Sequence, residues 1–119
     1  MPFSKALWPY GEKVNLSLLV IRCKNIQKSK AFYESLGLSF AKEQHGNGPE
    51  HFASEINGII FELYPNAEKA AVDNSRLGFR VNELDSILTR VQVQSSYSYE
   101  GKAIYVVVDP DGRKVEISA

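Results

Sequence analysis

Two glutamates stand in the middle of apolar triplets, one in each half of the chain. Glu62 is the centre of a Phe-Glu-Leu triplet, and Glu116 is the centre of a Val-Glu-Ile triplet. Because successive side chains of a β-strand point to opposite faces, each glutamate lies on the face opposite to that of its two apolar neighbours. Two carboxylates on one sheet face can hold a cation or act as a general acid and base. The two triplets are therefore the first candidates for a functional site.

Three arginines follow the same alternation. Arg22, Arg76 and Arg80 occupy predicted strand positions that alternate with apolar residues, so they share the charged face with the two glutamates. If Arg76 lies between Glu62 and Glu116, its guanidinium can compensate both carboxylates through its N–H donors. Such a cluster is equally consistent with the polar floor of a ligand pocket and with a structural salt-bridge network.

The periodicity of apolar residues predicts the elements that carry these side chains. Asn25 is placed to cap the first helix, and Asn82 or Asp85 to cap the second. The Asn-Gly pair at 57–58 predicts a tight hairpin, and Asp-Pro-Asp-Gly at 109–112 predicts a turn that accounts for both of its aspartates. The predicted strands cover residues 14–23, 38–43, 51–56, 59–64, 76–81, 96–99, 103–108 and 113–118, and the predicted helices cover residues 26–36 and 84–91.

The order of one strand, a helix and three strands occurs twice along the chain. Leu18 lies eight residues before Ile26, the first apolar residue of the first helix, and Arg76 lies eight residues before Leu84 of the second. Two copies of this length make one pseudo-symmetric domain rather than a solenoid array. We expect a single domain over residues 1–119, with module one at about 14–64, a linker at about 65–75 and module two at about 76–119.

The composition excludes several classes of function. The chain has 119 residues with 14 basic and 14 acidic side chains, whereas nucleic-acid and membrane-surface proteins normally carry a basic excess. Cys23 is the only cysteine, so neither an internal disulfide nor a zinc site built on thiolates can form. The first 13 residues lack the apolar core of a signal peptide, and no apolar run is long enough to span a bilayer. We expect a cytoplasmic protein without nucleic-acid or membrane partners.

Several motifs together resemble those of one superfamily. They are IQKSKAFY at 26–33 leading to Leu36-Gly37, FELYP at 61–65, DPDG at 109–112 and VEI at 115–117. On these motifs the chain resembles the vicinal oxygen chelate superfamily, which includes glyoxalase I, fosfomycin-resistance proteins, extradiol dioxygenases and bleomycin-resistance proteins. The resemblance implies an α+β fold in which two βαβββ modules form a glyoxalase/bleomycin-resistance-like curved mixed sheet with a concave cavity face. It does not specify an activity, because the fold hosts many.

The resemblance also implies where a metal would bind. In metal-dependent members, a histidine or glutamine on the first strand of each module and a glutamate on each last strand hold one divalent ion. These positions fall on Leu18, Glu62, Arg76 and Glu116 of this chain. Leucine has no donor atom, and arginine is a permanent cation that repels a metal. We therefore predict no cofactor, with a divalent metal as the disfavoured alternative.

The histidines and the remaining arginines are further candidates. His45 falls in a glycine-rich loop and is expected to be solvated, and His51 begins a strand, where an edge or surface position is more common than a ligand role. In some glyoxalase-like relatives the arginine at the place of Arg22 contacts an acidic substrate group, so a ligand contact and a surface ion pair are equal alternatives for Arg22. Arg80 is interpreted as the partner of a surface carboxylate.

The loss of two metal-ligand positions favours binding over catalysis. We predict a metal-free small-molecule-binding protein, similar to the bleomycin-resistance branch that sequesters its ligand. The arginines of the charged face favour an anionic or carboxylate-bearing compound. The predicted ligand-binding residues are Arg22, Glu62, Arg76 and Glu116.

Two other functions remain open at this point. One is a glyoxalase-like lyase or isomerase, or another metalloenzyme of the superfamily, with an altered metal site and with Glu62 or Glu116 as its catalytic residue. The other is a protein whose sheet face serves assembly alone. The resemblance implies a homodimer, and association would also cover the sheet edges that short strands leave open.

Overall fold

The computed structural model describes residues 14–67 and 72–119 of the chain. The segment before residue 14 and part of the predicted linker lie outside the described residues. Within the described residues the protein forms eight strands and two helices, and neither helix is long and apolar enough to cross a membrane. In chain order the elements are β1 (Leu18–Cys23), α1 (Ile26–Glu34), β2 (Ala41–Glu43), β3 (His51–Ile56), β4 (Ile59–Pro65), β5 (Leu77–Arg80), α2 (Leu84–Leu88), β6 (Ser95–Tyr99), β7 (Lys102–Val108) and β8 (Lys114–Ser118).

The strands of the described residues make two sheets of four strands, and the two sheets share one topology. The first sheet has the order β1-β4-β3-β2, and the second has the order β5-β8-β7-β6. In each sheet the first strand of the module is parallel to the last, and the other neighbours are antiparallel. The prediction of an α+β fold built from two βαβββ modules is confirmed.

Local sequence signals fix the first helix and the central hairpin. The side-chain oxygen of Asn25 accepts a hydrogen bond from the Lys28 N–H at 3.0 Å, which confirms the predicted cap of α1. Asn57 and Gly58 have φ values of 50° and 88°, the left-handed conformation that a two-residue hairpin requires. This hairpin joins β3 to β4 and sets the register that pairs Ala53 with Glu62.

Several predicted boundaries are wrong. The first strand begins at Leu18 rather than at residue 14, and the second covers only Ala41–Glu43. The helices are shorter than predicted, since α1 ends at Glu34 and α2 at Leu88. Neither Asn82 nor Asp85 caps α2, because Glu83 occupies the cap position and makes no side-chain bond there.

The predicted alternation of the strands is confirmed on the core side. Buried apolar side chains from both sheets and both helices make one cluster, so the modules share a single core. The opposite faces of the two sheets carry the polar and charged side chains. The buried members of the cluster are Ile21, Cys23, Tyr33, Leu36, Phe52, Phe61, Leu63, Ile87, Val107, Val115 and Ile117.

A buried polar network around the turn at 109–112 joins the two modules. The Tyr33 hydroxyl of α1 donates to Asp109 Oδ2 at 2.7 Å, and Arg113 Nη1 donates to the same oxygen at 3.1 Å. Burial, together with the charge of Asp109, raises the pKa of Tyr33 well above its usual range, so the hydroxyl stays protonated and donates. Burial alone would lower the pKa of Arg113, but hydrogen bonds to Asp73 and Asp109 raise it, so the guanidinium stays charged.

The same network reaches the end of β1. Arg113 Nη2 donates to the carbonyl oxygen of Arg22, and Asp111 accepts a hydrogen bond from the Lys24 N–H at 3.0 Å. The prediction that the turn alone accounts for Asp109 and Asp111 is therefore wrong, because both carboxylates also bind residues of module one. The network fixes the backbone that carries Arg22 onto the polar face.

Candidate functional site

The polar face of the second sheet carries a cluster around Glu116. Arg76 Nη1 donates to Glu116 Oε2 at 2.9 Å, and the Tyr97 hydroxyl donates to Glu116 Oε1 at 2.7 Å. The hydrogen bond to Glu116 raises the pKa of Tyr97, which keeps this phenol protonated as a donor. Both oxygens of the carboxylate are therefore already bonded, one to a cation and one to a hydroxyl.

The polar face of the first sheet carries Glu62, and its partner differs from the predicted one. Glu62 Oε2 lies 3.6 Å from His51 Nε2. Among the described residues, Arg76 lies within ion-pair distance of Glu116 and of no other carboxylate. The predicted convergence of Arg76 on both glutamates is thus found for Glu116 alone, because the two glutamates belong to separate sheets.

His51 does not occupy the exposed edge position that the sequence favoured. Its side chain is 1% exposed, because β2 and β4 lie on either side of β3. Its ring stacks on the Tyr64 ring with centroids 4.0 Å apart. Its position at the start of a strand predicts an edge or surface place for His51. Its burial instead depends on the order of the strands in the sheet, and the sequence does not specify that order.

Arg22 and Arg80 lie on the polar faces without carboxylate partners among the described residues. The Arg22 guanidinium lies 4.9 Å from the centroid of the Tyr64 ring, a cation–π contact. Arg80 lines a cavity of about 560 Å³ that lies between the end of α1, the β3–β4 hairpin and α2. The predicted surface ion pair of Arg80 is therefore not found among the residues that the structure describes.

The four positions that hold a metal in the superfamily do not fit a metal here. Leu18 is 52% exposed and offers no donor atom. The Arg76 guanidinium forms an ion pair with Glu116 Oε2, and Glu116 Oε1 accepts a hydrogen bond from the Tyr97 hydroxyl. A divalent ion at this position would have to displace an ion pair and a hydrogen bond, and it would gain at most two carboxylates in return.

Comparison with known proteins agrees with this fold. The family model described as the Glyoxalase/Bleomycin resistance protein/Dioxygenase superfamily matches residues 15–117. The chain therefore belongs to this superfamily. A search of curated proteins returned no match.

Solved structures with the same fold include proteins described by different names. "Oxidase ChaP-H2" is 21% identical, with 89% of this chain and 93% of that chain covered at a TM-score of 0.73. A lactoylglutathione lyase from Agrobacterium tumefaciens is 17% identical, with 87% and 92% covered at a TM-score of 0.67. A glyoxalase family protein from Enterococcus faecalis is 20% identical, with 88% and 97% covered at a TM-score of 0.67. Similarity at this level shows the shared fold.

Proposed function

We propose that this protein binds an anionic small molecule, carboxylate-bearing in the simplest case, without a metal at the position that the superfamily shares. The observation that carries the proposal is the Arg76–Glu116 pair. Arg76 occupies one of the metal-ligand positions of the family, and its guanidinium binds Glu116, which occupies a second of these positions, at 2.9 Å. In a metal-dependent relative the bound metal ion supplies the positive charge at this position, whereas here the Arg76 side chain supplies it.

The exposure of Arg76 supports a ligand role. Its side chain is 53% exposed, so the N–H groups that do not bind Glu116 remain available on the polar face. A planar guanidinium with free donors matches a carboxylate through two parallel hydrogen bonds. Arg22 adds a second cation on the other sheet, and no carboxylate of the described residues lies within 4.0 Å of it. These two arginines are the proposed anion-binding residues.

We further propose that the functional unit is a homodimer in which the polar faces of the two copies line shared clefts that stay open to the ligand. Both faces expose apolar side chains beside their charged ones, including Leu18 and Val20 on β1 and Tyr97 and Tyr99 on β6. Leu18 and Val20 lie on the same face of β1, Tyr97 and Tyr99 lie on the same face of β6, and exposed apolar patches are typical of an interface. Sedimentation at micromolar concentration is expected to give twice the 13.3 kDa mass of one chain, and a single species of 13.3 kDa would refute the dimer.

A thermal-shift screen tests the anion-binding function. The probes are benzoate, phthalate, succinate and citrate, each at constant ionic strength and pH 7. We expect at least one of them to raise the melting temperature of the wild type and to lose this effect in Arg76→Met. Lys42→Met is the matched control, because Lys42 alternates with Glu43 on β2 and points away from the polar face. An equal shift in wild type and Arg76→Met, or no shift with any probe, would contradict the proposal.

The alternative function is a lyase or isomerase with an altered metal site. The contact of 3.6 Å between His51 Nε2 and Glu62 Oε2 favours this alternative, since imidazole and carboxylate are groups that can bind a metal or move a proton. Turnover of a 2-oxoaldehyde–thiol adduct by the wild type, lost in Glu62→Gln, would support it over binding alone.

A further inference from the structure

We propose that Glu43, His45, His51 and Glu62 form a divalent metal site inside module one. This site differs from the position that the superfamily shares, because Glu62 is the only residue common to both. One ligand atom from each of the four side chains lies within 4.8 Å of all the others. The inference does not rest on the proposed anion binding and can fail separately from it.

The strand order brings the four side chains together. Glu43 is paired with His51 across β2 and β3, and Glu62 lies on β4 at the other side of β3. His45 follows two residues after Glu43, in a loop that the Gly48 N–H closes with a hydrogen bond of 2.9 Å to the His45 carbonyl. Three donors come from the adjacent strands β2, β3 and β4 and the fourth from the loop between β2 and β3, so one chain supplies the whole site.

His51 is held in the orientation of a metal ligand. Its Nδ1 lies 3.2 Å from the Pro49 carbonyl oxygen, and because a carbonyl can only accept, Nδ1 carries the proton of this bond. Its Nε2 faces Glu43 Oε1 at a hydrogen-bond distance of 3.2 Å and Glu62 Oε2 at 3.6 Å. A carboxylate can only accept, so a divalent ion here would take the place of the proton that Nε2 donates to Glu43. Metal-bound histidines typically donate their second N–H to a backbone carbonyl or a carboxylate in this way. Stacking on Tyr64 fixes the plane of the ring.

The two carboxylates lack a permanent cation. Among the described residues, the ion-pair contacts of Glu43 and Glu62 are to histidines, and no lysine or arginine lies within 4.0 Å of either. Two carboxylates that share a partly buried site repel each other unless a cation compensates them. A divalent ion supplies two positive charges at the point where both imidazole Nε2 atoms and both carboxylates meet.

The distances suit a metal after small side-chain shifts. His45 Nε2 lies 3.8 Å from Glu43 Oε1, and His51 Nε2 lies 3.2 Å and 3.6 Å from the two glutamates. In a tetrahedral site with bonds of about 2.1 Å, neighbouring ligand atoms are about 3.4 Å apart. A set of two imidazoles and two carboxylates is suited to Zn²⁺, Ni²⁺ or Co²⁺ rather than to Ca²⁺ or Mg²⁺.

Metal titration of the folded protein tests the site directly. The probes are Zn²⁺, in competition with a chromophoric chelator, and Co²⁺, whose visible absorption reports its coordination. The variants are His45→Ala and Glu43→Gln, because His45 is 73% exposed and Glu43 is also accessible, so both are expected to fold. Glu50→Gln is the matched control, since Glu50 is an exposed neighbour that pairs with Lys42 and lies outside the cluster.

We expect the wild type and Glu50→Gln to bind one Zn²⁺ per chain with equal affinity. Each ligand variant should weaken binding by about tenfold or more, since even residues that only orient a ligand cost that much. The Co²⁺ complex should show the intense visible bands of a four- or five-coordinate ion and lose them in His45→Ala. Equal affinity in the wild type and both ligand variants would overturn the proposal. Loss of binding in Glu116→Gln but not in Glu43→Gln would also overturn it, because the ion would then occupy the shared position.

Discussion

Replacing Arg113 by methionine should destabilise the protein strongly. The Arg113 side chain is fully buried, as is that of Asp109, its partner at 3.1 Å. The guanidinium also binds Asp111 at 3.5 Å and the carbonyl oxygen of Arg22. Methionine fills much of the same volume, so the main change is the loss of the buried positive charge and its donors.

The expected loss follows from what Asp109 keeps. Without the guanidinium, Asp109 retains the Tyr33 hydroxyl at 2.7 Å and the backbone N–H groups of Asp111 and Arg113 at 2.9 Å, but it has no cation. Breaking a buried ion pair typically costs about 3–5 kcal/mol, and these remaining hydrogen bonds favour the lower end of that range. We therefore expect the free energy of unfolding to fall by about 3 kcal/mol.

Urea denaturation at pH 7, extrapolated linearly to water, measures this loss. Lys114→Met is the matched control, because Lys114 is the exposed neighbour of Arg113 and should stay within about 0.5 kcal/mol of the wild type. Adding Asp109→Asn to Arg113→Met should recover part of the loss, since the uncompensated charge then disappears. A loss below about 1 kcal/mol, the range of an exposed ion pair, would refute the assigned role of Arg113.

Three further changes probe the network and the hairpin. Tyr33→Phe removes a buried hydroxyl that donates to Asp109, and urea denaturation should show a loss of about 2 kcal/mol. Hydrogen bonds from Arg113 lower the pKa of Asp73 from its ordinary 3.8. Because this carboxylate is half exposed, Asp73→Asn should lower the free energy of unfolding by at most about 1 kcal/mol at pH 7. That difference should shrink progressively as the pH falls below about 4, since the stabilisation from a lowered folded-state pKa is complete above the unfolded pKa and is lost as the pH falls towards the folded one. Gly58→Ala places a side chain at a φ of 88° and should cost about 1 kcal/mol in the same assay.

Each of these expectations has a contradicting result. An unchanged urea midpoint in Tyr33→Phe would mean that its hydroxyl is solvated. An Asp73→Asn difference that persists unchanged at pH 2 would exclude the ion pair as its source. A Gly58→Ala variant as stable as the wild type would contradict the left-handed hairpin.

The fold could be predicted in large part because its signals are local. Apolar alternation, the Asn25 cap and the Asn-Gly hairpin each depend on residues close in sequence, and the structure confirms them. The cap of α2 could not be predicted, since the competing polar residues around Glu83 differ little in propensity.

The candidate site could be predicted only where a residue's own strand determines its surroundings. Glu62 and Glu116 were placed on the polar faces by alternation, whereas the burial of His51 and the approach of Glu43 depend on the pairing of β2 with β3. Arg113 was missed for the same reason, because its burial depends on the docking of the turn at 109–112 against α1. Long-range packing of this kind leaves no periodic signal in the sequence.

The most direct test of the account is a titration that observes the side chain of Arg76 itself. In a protein labelled with ¹⁵N, the Nε–H resonances of Arg76 and Arg22 are assigned by substitution and followed while benzoate, phthalate, succinate or citrate is added. Arg76 donates to Glu116 from Nη1, and its side chain is exposed enough for its other N–H groups to bind a second anion. We predict a saturable shift of the Arg76 resonance with at least one of these carboxylates, and no saturable shift of the Arg90 resonance, whose guanidinium binds the Ser35 carbonyl. An Arg76 resonance that stays unchanged with every carboxylate would contradict the proposal that this arginine binds an anionic ligand.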